Sequence, residues 1–120
     1  MAKILIVDDD ILITGLMQTL VTMDGHEAII VNDSTEALET AKSVNPDIIT
    51  LDLMMPFLSG FDLCELLRAE PKFAQTPIVI ISAKEDAKSR EKALALGATE
   101  YINKPFDIDL FLSTIKKLAT

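Results

Sequence analysis

The sequence predicts an α/β protein, a doubly wound sheet of five parallel strands with helices on both faces, and two observations carry that prediction. Short runs rich in β-branched residues alternate with longer stretches of helical period, strand then helix, five times along 120 residues. The strand runs also lack the apolar-polar alternation of a half-exposed sheet, as strands do when both faces are covered. Strands joined through helices must lie parallel, with right-handed crossovers. The length suits one domain, spanning residues 1–120, with no repeat, linker or low-complexity segment.

The first strand is Lys3 to Val7. Ile13, Leu16, Met17, Leu20 and Val21 then step by three, one, three and one, which draws one apolar stripe along a helix. Asp24-Gly25-His26 marks a turn into a second strand, Glu27 to Val31, and places His26 in solvent. Asp33 with Glu36 three residues on has the spacing of a capping box ahead of Ala37, Leu38 and Ala41, and Asn45-Pro46 stops that helix. A third strand covers Asp47 to Leu51. Leu63, Cys64, Leu66 and Leu67 mark a third helix that opens near Gly60 and closes before Pro71, with Cys64 on its buried stripe. Glu70 to Pro77, with a proline at either end of its length, reads as a surface connection. Pro77 to Ile81 is the fourth strand. Ala87 to Leu96 is the fourth helix, with Gly97 where a left-handed C-cap belongs. The fifth strand, Glu100 to Asn103, precedes a last helix from Asp107 to Leu118, whose Lys116 and Lys117 suit the negative end of the helix dipole.

Composition narrows the function classes. Eleven Lys and Arg stand against 19 Asp and Glu, a net charge of −8, which argues against a surface built to neutralise nucleic-acid phosphates. One cysteine can form neither an internal disulfide nor a multi-cysteine zinc cluster. No apolar run approaches the roughly 18 residues of a membrane span. Asp8, Asp9 and Asp10 also cut the first apolar stretch too short for a signal peptide. A cytoplasmic chain with no membrane contact is the expectation.

Ligands of open parallel sheets gather outside the carboxyl ends of the strands. The residues at those ends are Asp8 and Asp9, Asp52, Ser82 and Lys104, all polar and all closing the strand runs. A strand order of 2-1-3-4-5 brings all of them to one mouth and leaves Asn32 and Asp33 toward the sheet edge. Three close carboxylates repel unless a cation compensates them. A few carboxylate oxygens with room for water and phosphate are what Mg²⁺ accepts. With the Lys104 ammonium and the Ser82 hydroxyl beside a further carboxylate, the set matches the needs of in-line phosphoryl transfer. Asp10 reads as a helix N-cap rather than a further ligand.

Ile4-Leu5-Ile6-Val7-Asp8-Asp9-Asp10, Leu51-Asp52-Leu53-Met54-Met55-Pro56, Ile81-Ser82-Ala83 and Asn103-Lys104-Pro105-Phe106 together resemble the receiver domains of two-component response regulators. The likeness covers essentially the whole chain and implies a flavodoxin-like fold. It implies that Asp52 is the phosphoacceptor, served by a histidine kinase, a histidine phosphotransfer protein or a small phosphodonor. It further implies that Asp8, Asp9, Asp52 and the backbone carbonyl of Met54 bind Mg²⁺, the Met54 and Met55 side chains being packing residues. Ser82 and Lys104 would bind phosphoryl oxygens, and Tyr101 would be a switch aromatic that turns inward when Ser82 moves. Lys84 would lie near the entry of attacking water, and the Lys104-Pro105 bond would be cis. The change would be read at the fourth helix, fifth strand and fifth helix by an output domain or target protein, across a face with Lys88, Arg90, Lys92, Lys116 and Lys117. The chain would be a signalling module that catalyses only its own phosphorylation and dephosphorylation.

Two other classes fit less well. An aspartate-nucleophile phosphatase needs a second acid that Asp52-Leu53-Met54 lacks. A nucleotide or flavin binder needs a glycine-rich loop, and Gly15, Gly25, Gly60 and Gly97 are scattered.

Overall fold

Alternation of strand and helix survives intact in the computed structural model, which describes residues 1–120. The elements are β1 (Lys3–Val7), α1 (Ile11–Met23), β2 (Glu27–Val31), α2 (Ala37–Val44), β3 (Ile48–Leu51), α3 (Gly60–Ala69), β4 (Ile78–Ser82), α4 (Ala87–Ala95), β5 (Glu100–Asn103) and α5 (Ile108–Leu118). All strand pairs are parallel, in the order β2-β1-β3-β4-β5.

Successive strand side chains point to opposite faces, and here each face has a core. Ile4, Ile6, Ile48, Val79 and Ile81 meet Met17 and Val21 of α1 and Phe111 and Ile115 of α5. Leu5, Val7, Ile49, Leu51, Ile78 and Ile80 meet α2, α3 and α4 through Ala41, Leu63, Leu67 and Ala93. Coverage on both sides is why the strands carry no polar alternation. Cys64 is fully buried in the second of these cores.

Local chemistry fixes the helix ends. Carboxylates of Asp10, Asp86 and Asp107 and the hydroxyl of Ser59 accept backbone N–H bonds at the starts of α1, α4, α5 and α3. Asn45 adopts a left-handed conformation after α2 and Gly97 one after α4. The expected capping box ahead of α2 takes another form. Asp33 accepts from Thr35 N–H and starts a 3-10 turn at Ser34–Glu36, so Glu36 makes no capping bond.

Two further expectations are corrected. The Glu70 to Pro77 connection does not simply lie on the surface: Phe73, in a 3-10 turn at Pro71–Phe73, is wholly buried. The Arg68 guanidinium seals this stretch by donating to the carbonyls of Phe73 (2.6 Å), Thr76 (2.7 Å) and Gly97 (3.0 Å). His26 is half-buried rather than solvent-exposed, because its Nδ1 accepts the Ala2 N–H at 3.0 Å just before β1.

Candidate functional site

Sheet register builds the site. Val7 pairs with Leu51, and the ladder runs one residue further on each strand: Asp52 N–H donates to Val7 O, Asp8 N–H to Val31 O, and Lys104 N–H to Ser82 O. The residues that follow β1, β3 and β5, with Ser82 ending β4, therefore emerge at one edge. Asp8, Asp9 and Asp52 offer oxygens that all lie within 4.8 Å of one another. Asp8 and Asp52 are nearly sealed from water at 3% and 6% exposure, while Asp9 lies open on the rim.

Lys104 is the cation that faces this charge. Its Nζ donates to Asp8 Oδ2 at 2.6 Å and stands 3.6 Å from Asp52 Oδ2. Burial alone would pull the ammonium down, but the bond to Asp8 and the charge of Asp52 outweigh it and hold Lys104 above its ordinary value. Asp52 is also held above its ordinary value, which for a carboxyl disfavours the charged form. Burial raises it most and the neighbouring Asp8 charge raises it further, against the opposing pull of Lys104 and a bond from Met54 N–H at 3.3 Å. One ammonium thus leaves part of the acidic charge uncompensated. Oxygen donors on a partly open rim, with a surplus of negative charge, fit a hard divalent cation such as Mg²⁺.

Ser82 is fully buried, and its Oγ accepts Lys84 N–H at 3.3 Å. The other side of Lys84, its carbonyl, accepts two bonds from β5, one from the Tyr101 phenol at 2.6 Å and one from Asn103 Nδ2 at 3.1 Å. The backbone of Lys84 therefore joins the site hydroxyl to the aromatic. Tyr101 already points inward at 6% exposure, with Arg90 over its ring. Burial, and then the charge of Asp86, raise its phenol. The Lys104-Pro105 bond is cis, as the resemblance implied.

Of the residues singled out from sequence, Asp8, Asp9, Asp52, Ser82 and Lys104 come together, and Asp10 caps α1. Met54 departs from expectation. Its neighbour Met55 is buried, but the Met54 side chain is 57% exposed and packs in no core. Gly60 has a stricter role than opening a helix: a Cβ there would collide with the carbonyl oxygen of Asp52 and come within 2.7 Å of Leu53 Cα. Asn103 closes the fifth strand and opens the Asn103-Lys104-Pro105-Phe106 motif, but nothing in the sequence marks the bond of its side chain to the Lys84 carbonyl.

Comparison with known proteins decides the family. The response regulator receiver domain model matches residues 4–116. This chain belongs to that family. It is a signalling domain of the two-component type, with an acidic cluster of Asp8, Asp9 and Asp52. The DNA-binding response regulator MtrA of Mycobacterium tuberculosis is 36% identical over 104 residues, 87% of this chain and 44% of that protein. The alkaline phosphatase synthesis transcriptional regulatory protein PhoP of Bacillus subtilis is 38% identical over 87% of this chain and 42% of its own length. The chain thus spans less than half the length of these curated relatives. Among solved structures, the chemotaxis protein CheY4 of Vibrio cholerae superposes with a TM-score of 0.93 at 30% identity, covering 98% of both chains. The BeF3-activated N-terminal receiver domain of Klebsiella pneumoniae RstA gives 0.91 at 26% identity, covering 98% of this chain and 99% of that one.

Proposed function

We propose that Asp52 of this receiver domain accepts a phosphoryl group from a histidine kinase or histidine phosphotransfer protein, and that the added charge is passed to the face formed by α4, β5 and α5. A carboxylate oxygen of Asp52 forms the new bond to phosphorus while the bond from phosphorus to the donor imidazole nitrogen breaks, and the imidazole keeps that electron pair. The observation that carries this reading is the meeting of Asp8, Asp9 and Asp52 within 4.8 Å, with Lys104 Nζ against two of them.

Each residue has a task that follows from its place. Asp52 lies at the floor of the mouth, so a donor must present its phosphoryl group from the rim side. Asp8, Asp9, Asp52 and the Met54 carbonyl would hold Mg²⁺, which when bound supplies charge neutralisation for the transferring group. Lys104, freed in part from Asp8, and the Ser82 hydroxyl take phosphoryl oxygens. Ser82 Oγ now accepts from Lys84 N–H, so drawing Ser82 toward a phosphoryl oxygen disturbs the residue whose carbonyl Tyr101 and Asn103 hold. The backbone of Lys84 links the site to β5 and, through Arg90 over Tyr101, to α4. Lys84 itself flanks the approach of the water that would hydrolyse the aspartyl phosphate. A downstream output domain or target protein reads the α4-β5-α5 face, and the relatives named as DNA-binding or transcriptional regulators support an output in gene control.

Labelling with acetyl phosphate tests the acceptor. Mg²⁺-dependent phosphorylation of the chain is expected, detected as an added phosphoryl mass that Asp52→Asn abolishes and EDTA prevents. Labelling that persists in Asp52→Asn removes Asp52 from this role.

A further inference from the structure

The turn after β2 contributes no acid to the site, yet it reaches both loops that do. Asn32 Nδ2 donates one hydrogen to the carbonyl of Asp8 at 2.9 Å and the other to Thr14 Oγ1 at 3.1 Å. Thr14, buried on α1, passes its own hydrogen to the carbonyl of Ile11 at 3.1 Å. The Asp8 peptide and the first turn of α1 are thus tied to one amide, just where the ladder bond from Asp8 N–H to Val31 O ends. Two residues on, the Ser34 hydroxyl donates to the carbonyl of Pro56 at 2.9 Å, in the loop between Asp52 and α3. Ser34 is buried at 3% exposure, so no water replaces that bond easily. One stretch of three residues therefore grips the Asp8-Asp9 loop with one side chain and, at Pro56, the loop that follows Asp52 with another. The acids on those loops repel, and repulsion acts to part them.

We propose that Asn32 and Ser34 are positioning residues that hold the two acid-bearing loops at the spacing Mg²⁺ requires, and so set the affinity of this site for the ion. The inference rests on the reading of Asp8, Asp9 and Asp52 as the metal site and deepens it. Bonds that orient ligands from behind are worth about 10- to 100-fold in metal affinity elsewhere. Here they act through backbone carbonyls rather than on the ligand oxygens, which places each at the lower end of that range or below it.

Calorimetric titration with Mg²⁺ alone, on the wild-type chain, Asn32→Ala, Ser34→Ala and the double variant, measures this directly. Each single change is expected to raise the Kd about 3- to 10-fold, and the double change to raise it further. Ser34→Thr, which keeps the hydroxyl, should bind more tightly than Ser34→Ala. Phosphorylation by acetyl phosphate should show a raised half-saturating Mg²⁺ concentration with the rate at saturating Mg²⁺ retained, a split that general loosening of the fold would not produce. Asn32 is exposed, so Asn32→Ala keeps the test open if Ser34→Ala folds poorly. A wild-type chain that binds Mg²⁺ while the variants bind it within twofold overturns the positioning role alone. A wild-type chain that binds no Mg²⁺ overturns the metal site and this role with it.

Discussion

Leu51 and Asp52 are adjacent in the chain and almost equally hidden from water, at 1% and 6% exposure, but they belong to regions built by opposite rules. Leu51 lies in the body of the sheet, where apolar side chains of β1, β3 and β4 are covered on both faces. Asp52 lies at the carboxyl edge, where like charges are crowded against one ammonium and burial penalises the ionised form. Burial in the first region is favourable by about 25 cal/mol per Å² of apolar surface. In the second it is a cost, which persists because the strands beneath hold the edge in register. The sheet body supplies stability, and the edge uses some of it to keep three acids together.

Gly60 is where the two regions are joined most tightly. Its missing side chain lets the start of α3 lie on the backbone of Asp52 and Leu53, and Gly60 N–H donates to Leu53 O. Gly60→Ala must push α3 away from the β3 end, because the atoms it meets are backbone and cannot rotate aside. We expect a loss of about 3 kcal/mol in urea unfolding, at the upper range for overpacking, together with weakened Mg²⁺ binding. Loss of metal binding with full stability retained would show that the edge is more separable from the body than the geometry implies.

The body was legible from sequence because two-sided burial leaves a simple mark, the unbroken apolar runs at Lys3 to Val7 and Pro77 to Ile81. The acids of the edge were legible for a related reason: Asp8 and Asp52 each interrupt such a run at its end, and strand order then determines that they meet. The bonds of Asn32 and Ser34 left no such mark, since they join residues 24 and 22 positions apart through carbonyls that every residue carries. Phe73 was hidden by the prolines around it, which signal a loop whether or not its aromatic is buried. His26 was misplaced because a turn dipeptide reports backbone shape and not the N–H of Ala2 that the imidazole meets. Phe57 shows the same limit. It stands at φ 71 with 91% exposure, a left-handed conformation that bulky residues seldom adopt and that no local pattern announced.

The next test asks how much the edge opposes folding. Asp52 has its folded-state value raised by burial first and by Asp8 second. As pH rises through the range between the ordinary carboxylate value and the raised one, the unfolded chain gives up this proton before the folded chain does, so stability falls across that window. Asp52→Asn lacks the titration. Measured in EDTA, the variant should match wild type in acid and exceed it by roughly 1 to 2 kcal/mol at neutral pH, the scale of a partly screened like-charge contact. An advantage that shrinks as pH rises would mean that Lys104 more than compensates Asp8.

The smallest effect belongs to the one place where the sheet body breaks its own rule. Thr50, at 1% exposure, sits between Ile6 and Val79 in the sheet register, and its Oγ1 has no hydrogen-bond partner. A buried hydroxyl left unpaired costs about 1 to 3 kcal/mol relative to one that is satisfied. Valine keeps the branched shape that suits a strand and removes the orphan, so Thr50→Val should raise stability by about 1 kcal/mol with Mg²⁺ binding unchanged. The separation of the two outcomes is informative, because Thr50 is two residues from Asp52 but faces the α1 and α5 core. A shift in Mg²⁺ affinity would mean that the body tunes the edge through packing as well as through register. A loss of stability would mean that the hydroxyl has a partner after all, such as a buried water.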